Sequence, residues 1–230
     1  MLCIINFETK NAFKTGDMSL LTSLAEQISM VITNAELYKN LKDVLLNVIK
    51  TLVYSIEAKD SYTSGHSERV STLVMMIAEA MDLSPGEKDA LHWAAMLHDI
   101  GKIGVPGKIL NKEGKLTQEE FLYIKEHSEK GYKILKPINQ LNESLSAIRH
   151  HHERYDGNGY PSGLKGKEIP LYARVIAIAD TYDAMTSARS YRAHISHKDA
   201  LAEIVRVKGK QLDPELVEIF VKLSESTSSF

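Results

Sequence analysis

The sequence predicts an all-α fold: a bundle of helices around a metal centre, led in by one long helix and, before it, a short strand. Three observations carry this. An apolar seam runs without Pro or Gly from residue 18 to residue 58. From Ala58 onward every segment but one shows helical spacing or a helix cap. Seven candidate metal ligands, all histidine or aspartate, are spread over several helical segments, the way bundles build metal sites from inward-facing side chains.

Taken in order, Leu2, Ile4, Ile5 and Phe7 with polar Asn6 and Glu8 predict a strand over residues 1 to 8. Residues 10 to 16 are a polar loop, and Asp17 is a plausible N-cap. The helical pattern after it places apolar or small residues at Leu24, Ile28, Val31, Ala35, Tyr38, Leu41, Leu45, Val48, Leu52 and Ile56. Steps of three and four approach a heptad seam. Such a helix would be about 60 Å long at the usual rise. Two readings stand: a signalling helix that pairs with its copy in a dimer, or two ordinary helices broken near Asn34 or Asn40.

A second helix starts at Thr63 or Ser64 and carries Val70, Leu73, Val74, Ile77 and Met81. Ser84-Pro85-Gly86-Glu87 reads as a cap, with Pro first and Glu third in the next helix. That helix carries Ala90, Leu91, Ala94, Ala95, Leu97 and His98, and Gly101 and Gly104 end it. Residues 106 to 114 form a loop. Thr117-Gln118-Glu119-Glu120 is a capping box for a helix running past His127. Pro137 separates it from a helix that ends at the histidine run 150–152. Residues 157 to 168, with four glycines, are the long irregular stretch. A helix from about Pro170 through Asp183 and two more, over 197–208 and 214–223, complete the bundle before a Ser-rich tail from Ser224.

Composition limits the function. The net charge is -2 with no long basic run, which argues against a nucleic-acid polymer as partner. Cys3 is the only cysteine, so an intrachain disulfide and a thiolate metal cluster are both excluded. No apolar run approaches the roughly 20 residues that span a bilayer, and the first residues lack a basic signal-peptide region. A cytoplasmic location is expected.

The chemistry concentrates in two places. His98-Asp99 is an adjacent pair near a helix end, and neighbouring helical side chains point about 100° apart. One pair can thus offer an imidazole to one metal and a carboxylate between two. His150-His151-His152 runs into Glu153 and then into a turn holding Gly157, Gly159 and Pro161. His66, His127 and Asp180 are the remaining candidates, with His151 and His152 taken from the triplet and His150 read as flanking. His92, His194 and His197 are read as ordinary surface or hydrogen-bonded residues. Five histidines and two carboxylates without sulfur exceed one tetrahedral zinc site and suit two octahedral ions such as iron or manganese.

These residues resemble a known family. His98-Asp99-Ile100-Gly101-Lys102 and the run from His151 to Pro161 look like the two signatures of the HD-GYP domain, a branch of the HD phosphohydrolase superfamily. Gly65 to Val70 and Ala173 to Ser187, continuing into Arg189 and Tyr191-Arg192, match as well, so the resemblance covers roughly 50 to 223. Residues 1 to 40 resemble the last strand and helix of a GAF domain. The domains expected are a GAF-like remnant over 1–40, a linker helix over 41–60, the HD-GYP domain over 61–223 and a flexible tail over 224–230.

The resemblance implies an HD-type helical bundle that hydrolyses cyclic di-GMP to pGpG or GMP. It implies metal ligands at His66, His98, Asp99, His127, His151, His152 and Asp180, with Asp99 bridging. Lys102 would help hold the scissile phosphate, Gly159 and Tyr160 would line the substrate loop, and Arg189 and Arg192 would contact phosphates. Glu153, Asp156 and Asp183 are expected to orient ligand histidines. Some members place Glu four residues before the first His and hold a third metal; Tyr62 stands there in this chain, so two are expected. Two alternatives remain open: hydrolysis of 3′,3′-cyclic GMP-AMP, or an inactive domain that binds the dinucleotide.

Overall fold

The computed structural model describes residues 15–60, 64–187 and 195–226. The expected strand over 1–8, Tyr62, Arg189, Arg192 and His194 lie outside the described residues. Among the described residues the elements are α-helices and short 3₁₀ turns, with no strand. The chain divides into two units, residues 1–51 and residues 52–230.

In the first unit the described residues belong to helix α1, Thr15–Lys59, which is unbroken at Asn34 and Asn40. Its seam residues Leu24, Ile28, Val31, Tyr38, Leu41, Leu45 and Val48 are all exposed. No helix among the described residues is long and apolar enough to cross a membrane.

The second unit begins with the last turns of α1, where Val53 and Ile56 are buried. It continues with α2 (His66–Ala80), α3 (Pro85–Leu97), the short α4 (Gly107–Leu110) and α5 (Gln118–Leu135). After them come α6 (Asn142–His150), α7 (Leu171–Thr186), α8 (His197–Arg206) and α9 (Pro214–Ser226). The local signals act as physics requires. Ser84 and Thr117 each accept from the backbone N–H three residues on, while Glu87 and Glu120 accept in return, closing two capping boxes. Helix α9 runs through Ser224 to Ser226, beyond the expected start of the tail.

Helix α7 is the centre. Its Val175-Ile176-Ala177-Ile178-Ala179 run is apolar on nearly every face, as a helix surrounded by others must be. It meets α2, α3, α6, α8 and α9. Val74 and Ile77 of α2, Leu91 of α3, Ile148 of α6, Ile176 and Ile178 of α7 and Phe220 of α9 are fully buried. The buried Ser144 hydroxyl donates to the Ala90 carbonyl at 2.7 Å, tying α6 to α3. On α7, Asp180 and Asp183 face the start of α2, where both meet His66.

Candidate metal centre

His66, His98, Asp99, His151 and His152 sit at or beside helix ends, whereas His127 and Asp180 lie in the middle of α5 and α7. His66 opens α2 after Gly65, whose φ of 68° is left-handed. The first N–H groups of that helix lack intrahelical partners. Glu57, from the last turns of α1, supplies them: it accepts from Gly65 N and Ser67 N, each at 2.8 Å. His98 caps the end of α3. Asp99 has already left the helix, with φ -97° and ψ 3°, and opens a 3₁₀ turn over Ile100–Gly104.

The second ring nitrogens reveal the tautomers. Nδ1 of His98, His127 and His151 donates to the carbonyls of Ala95, Ile124 and Ile148 at 2.6, 2.6 and 2.7 Å. A carbonyl only accepts, so these rings carry their proton on Nδ1 and present a bare lone pair at Nε2. Yet Nε2 of His127 lies 3.2 Å from Nε2 of His151, with a bare lone pair on each, while Nε2 of His66 lies 3.3 Å from the lone pair on Nε2 of His98. Converging lone pairs at that range call for a cation between them. This fits divalent metal binding, and backbone or carboxylate partners on the outer nitrogen are what metal-binding imidazoles use.

The donors form two groups able to hold metal, Asp99 with His127, His151 and His152, and His66 with His98 and Asp180. Asp99 faces both. Its Oδ1 is 3.3 Å from His127 Nε2, while Oδ2 is 3.6 Å from His98 Nε2 and 3.9 Å from His66 Nε2. Asp180 Oδ1 lies 3.4 Å from His66 Nε2. Lys102 sits beside Asp99 at 2.7 Å and donates to Asp60 at 3.1 Å.

Charges follow from these neighbours in the metal-free site. Burial pushes His127 and His151 below the usual imidazole range and His152 down to about 3. Burial opposes the charge on His66 as well, but hydrogen bonds to Asp180 and Asp183 overturn it and lift the ring to about 10. Burial also works against Asp99, yet Lys102 and the histidines hold it well below the carboxylate range. Lys102 is raised, because Asp99 and Asp60 outweigh its own burial. A fixed ammonium thus stands beside a fixed carboxylate at the point where the two donor groups meet.

The seven expected ligands all converge here, and Lys102 joins them. Asp183 does what was expected of it: its Oδ2 meets His66 Nδ1 at 2.7 Å, and Arg69 grips its other oxygen at 2.6 Å. Glu153 and Asp156 do not. Buried Glu153 accepts from Ser162 N and Leu164 N, so it folds the glycine-rich loop back on itself. Asp156 pairs with Arg154 at 2.8 Å and caps Asn158 N at 3.0 Å. Both carboxylates are spent on loop backbone and a nearby guanidinium and touch no histidine. Gly159 is where that loop presses on the chain, since a Cβ there would lie 2.3 Å from Arg154 N. Tyr160 lies over His152, ring centroids 4.8 Å apart. His150 turns to Ser146 O, His92 to Ser71 and His197 to Tyr182, away from the cluster.

Sequence reading missed Glu57 and Asp60. Both look like ordinary acids near the end of a long helix, and only the tertiary fold brings them to α2 and Lys102. Their burial, at 6% and 4% exposure, separates them from the other acids of α1.

The family model for the HD domain matches residues 50–216. A cyclic di-GMP phosphodiesterase of Thermotoga maritima is 42% identical over 212 residues, covering 90% of this chain and 57% of that protein. The cyclic di-GMP phosphodiesterase response regulator RpfG of Xanthomonas campestris is 41% identical over 177 residues, covering 76% of this chain and 47% of its own. A 3′3′-cGAMP-specific phosphodiesterase of Vibrio cholerae is 32% identical over 210 residues, covering 90% and 40%. The chain thus spans about half the length of these curated relatives. Among solved structures, a cyclic GMP-AMP-specific phosphodiesterase of V. cholerae shares the fold, with a TM-score of 0.60 at 22% identity over 77% of this chain and 48% of that one.

Proposed function

Because the chain belongs to the HD domain family, we propose that it is the catalytic segment of an HD-GYP phosphodiesterase that hydrolyses cyclic di-GMP to pGpG or GMP. The observation that carries this reading is Asp99, with one oxygen toward each of two donor groups and Lys102 against it. His66, His98 and Asp180 would hold one divalent ion and His127, His151 and His152 the other, with Asp99 bridging. Five imidazoles and two carboxylates without sulfur favour iron or manganese. Such ions, when bound, supply Lewis-acid charge at the phosphoryl oxygens and acidify a water.

The chain's own residues do the rest. Three backbone carbonyls fix the ring protons of His98, His127 and His151 on the outer nitrogens, which leaves their inner lone pairs ready without reorganisation, while His66, held by Asp183, gives up its inner proton on binding the ion. Lys102, held charged by Asp99 and Asp60, offsets the charge that develops on the scissile phosphate. Gly159 and Tyr160 line the substrate loop, and Arg189 and Arg192 contact the other phosphate. Residues 1–40 are read as the end of a GAF-like sensor domain, 41–60 as the linker and 61–223 as the catalytic domain. A nucleotide second messenger as substrate implies a cytoplasmic site of action. The exposed seam of α1 favours a homodimer.

Turnover of purified protein loaded with iron or manganese, under reducing and low-oxygen conditions, tests the reading. Cyclic di-GMP should be converted to pGpG or GMP. Because cGAMP-specific relatives reach 37% identity, 3′,3′-cyclic GMP-AMP is run in parallel. Faster turnover of that dinucleotide would reassign the substrate, and binding of either without turnover would make the chain a receptor.

A further inference from the structure

A row of side chains leads outward from the metal centre along α5. Tyr160 lies on His152, the rings inclined by 30°. The Lys125 ammonium stands 5.1 Å from the Tyr160 ring centroid on one side and 4.9 Å from that of Phe121 on the other. Phe121 and Lys125 are four residues apart, one turn of α5, and His127 follows two residues on. Helix geometry therefore carries the ligand and the ammonium on the same element. Phe121 is 45% exposed and ends the row at the surface.

The charge on Lys125 is the unusual feature. Several nearby cations have carboxylates: Lys130 pairs with Glu126 at 2.9 Å, Lys112 with Glu120 at 2.6 Å and Arg149 with Glu129 at 2.7 Å. Lys102 has two. Among the described residues Lys125 makes no ion pair, although it is partly buried between two aromatic faces. Ring faces attract a cation but do not neutralise it. An ammonium held this way keeps donor capacity for an oxygen anion arriving from solvent.

We propose that Lys125, steadied by Phe121 and Tyr160, is a further substrate-binding residue that acts with Arg189 and Arg192 on the phosphodiester not being cleaved. This rests on the cyclic dinucleotide reading above. A cyclic dinucleotide carries two phosphates. One occupies the position beside Asp99 and Lys102, and the other must lie along a wall of the site. The row from His152 to Lys125 is such a wall, ending in a fixed positive charge two ring contacts from the metal centre. A diester with one phosphate has nothing to place there.

Steady-state kinetics with the metal-loaded full chain tests this, comparing cyclic di-GMP with bis(p-nitrophenyl) phosphate. Lys125→Gln should raise KM for cyclic di-GMP about tenfold, the usual order for a lost hydrogen bond to a charged group. The rise for the one-phosphate diester should be several-fold smaller. Lys125→Arg should restore most of the loss, and Phe121→Ala should reproduce part of it by unclamping the ammonium. Metal content and helical circular dichroism identify any variant that misfolds, and Lys125→Arg then carries the comparison. Equal KM changes for both diesters, or none, with wild-type turnover of cyclic di-GMP intact, would overturn the inference alone. Wild-type hydrolysis of the small diester but of no cyclic dinucleotide would overturn the functional reading beneath it.

Discussion

At the scale of single residues, the site works by fixing protons before any substrate arrives. Three imidazoles owe their tautomer to a carbonyl one turn back on their own helix, and His66 owes it to Asp183. For His98 and His151 these partners cost the fold little, because the last carbonyls of α3 and α6 are unpaired in any case, while the Ile124 carbonyl inside α5 serves His127 as a second donor's acceptor. Lys102 is arranged on the same principle, between Asp99 and the buried Asp60. With Asp60 removed, the ammonium keeps its charge through Asp99 but loses the contact that sets its direction. Asp60→Asn should therefore lower kcat about 10- to 100-fold, the usual cost of losing an outer partner. Metal content should stay at the wild-type level, because Asp60 faces Lys102 and not the donor groups. Turnover measured alongside metal analysis by mass spectrometry checks this, and loss of metal in the variant would give Asp60 a different role.

At the scale of elements, what could be read in the sequence was whatever local chemistry decides. The capping boxes at Ser84 and Thr117 and the helices they begin follow from side chains three residues apart. The end of α6 followed from the histidine run. Less legible was anything decided by two backbones meeting. His98 and Asp99 were expected on one helix, but the chain turns into a 3₁₀ segment between them so that it can pass against α5. Gly101 shows why: a Cβ there would fall 1.8 Å from the His127 carbonyl oxygen and 2.6 Å from Gly131 N. The roles of Glu153 and Asp156 failed for the same reason, since the loop they bind closes only in three dimensions. Gly101→Ala must push the turn off α5, and with it Asp99 from His127. It should destabilise the protein by about 1–3 kcal/mol or more, as overpacking does, and weaken metal binding. A denaturant midpoint unchanged from wild type would show that the turn can move without penalty.

At the scale of the whole molecule, the seven candidate ligands come from five helices and the segments that close them, α2, α3, α5, α6 and α7. The sequence offered these seven as candidates, two pairs of them by their motifs, and the family resemblance implied that they share one centre. A centre joining that many elements should stabilise the fold by mass action. Metal at a thousand times its dissociation constant adds about 4 kcal/mol, so chelation should lower the melting temperature by several degrees for the metal-free form. What spacing could not decide is what covers the seam of α1. Leu24, Ile28, Val31, Leu41, Leu45 and Val48 are each more than 40% exposed, at heptad-like intervals, in a unit with no other described element to bury them. Monomeric proteins rarely leave so long an apolar stripe in water. A second copy of the same helix offers the complementary stripe, in register, at no cost in new chemistry. Ile28→Lys with Leu45→Lys would set like charges against each other across that contact at two levels. Sedimentation equilibrium should then find a dimer for the wild type and a monomer for the double variant at micromolar concentration. A wild type that sediments as a monomer would leave the stripe to a different partner and remove helix pairing as the route by which the leading segment reaches the catalytic one.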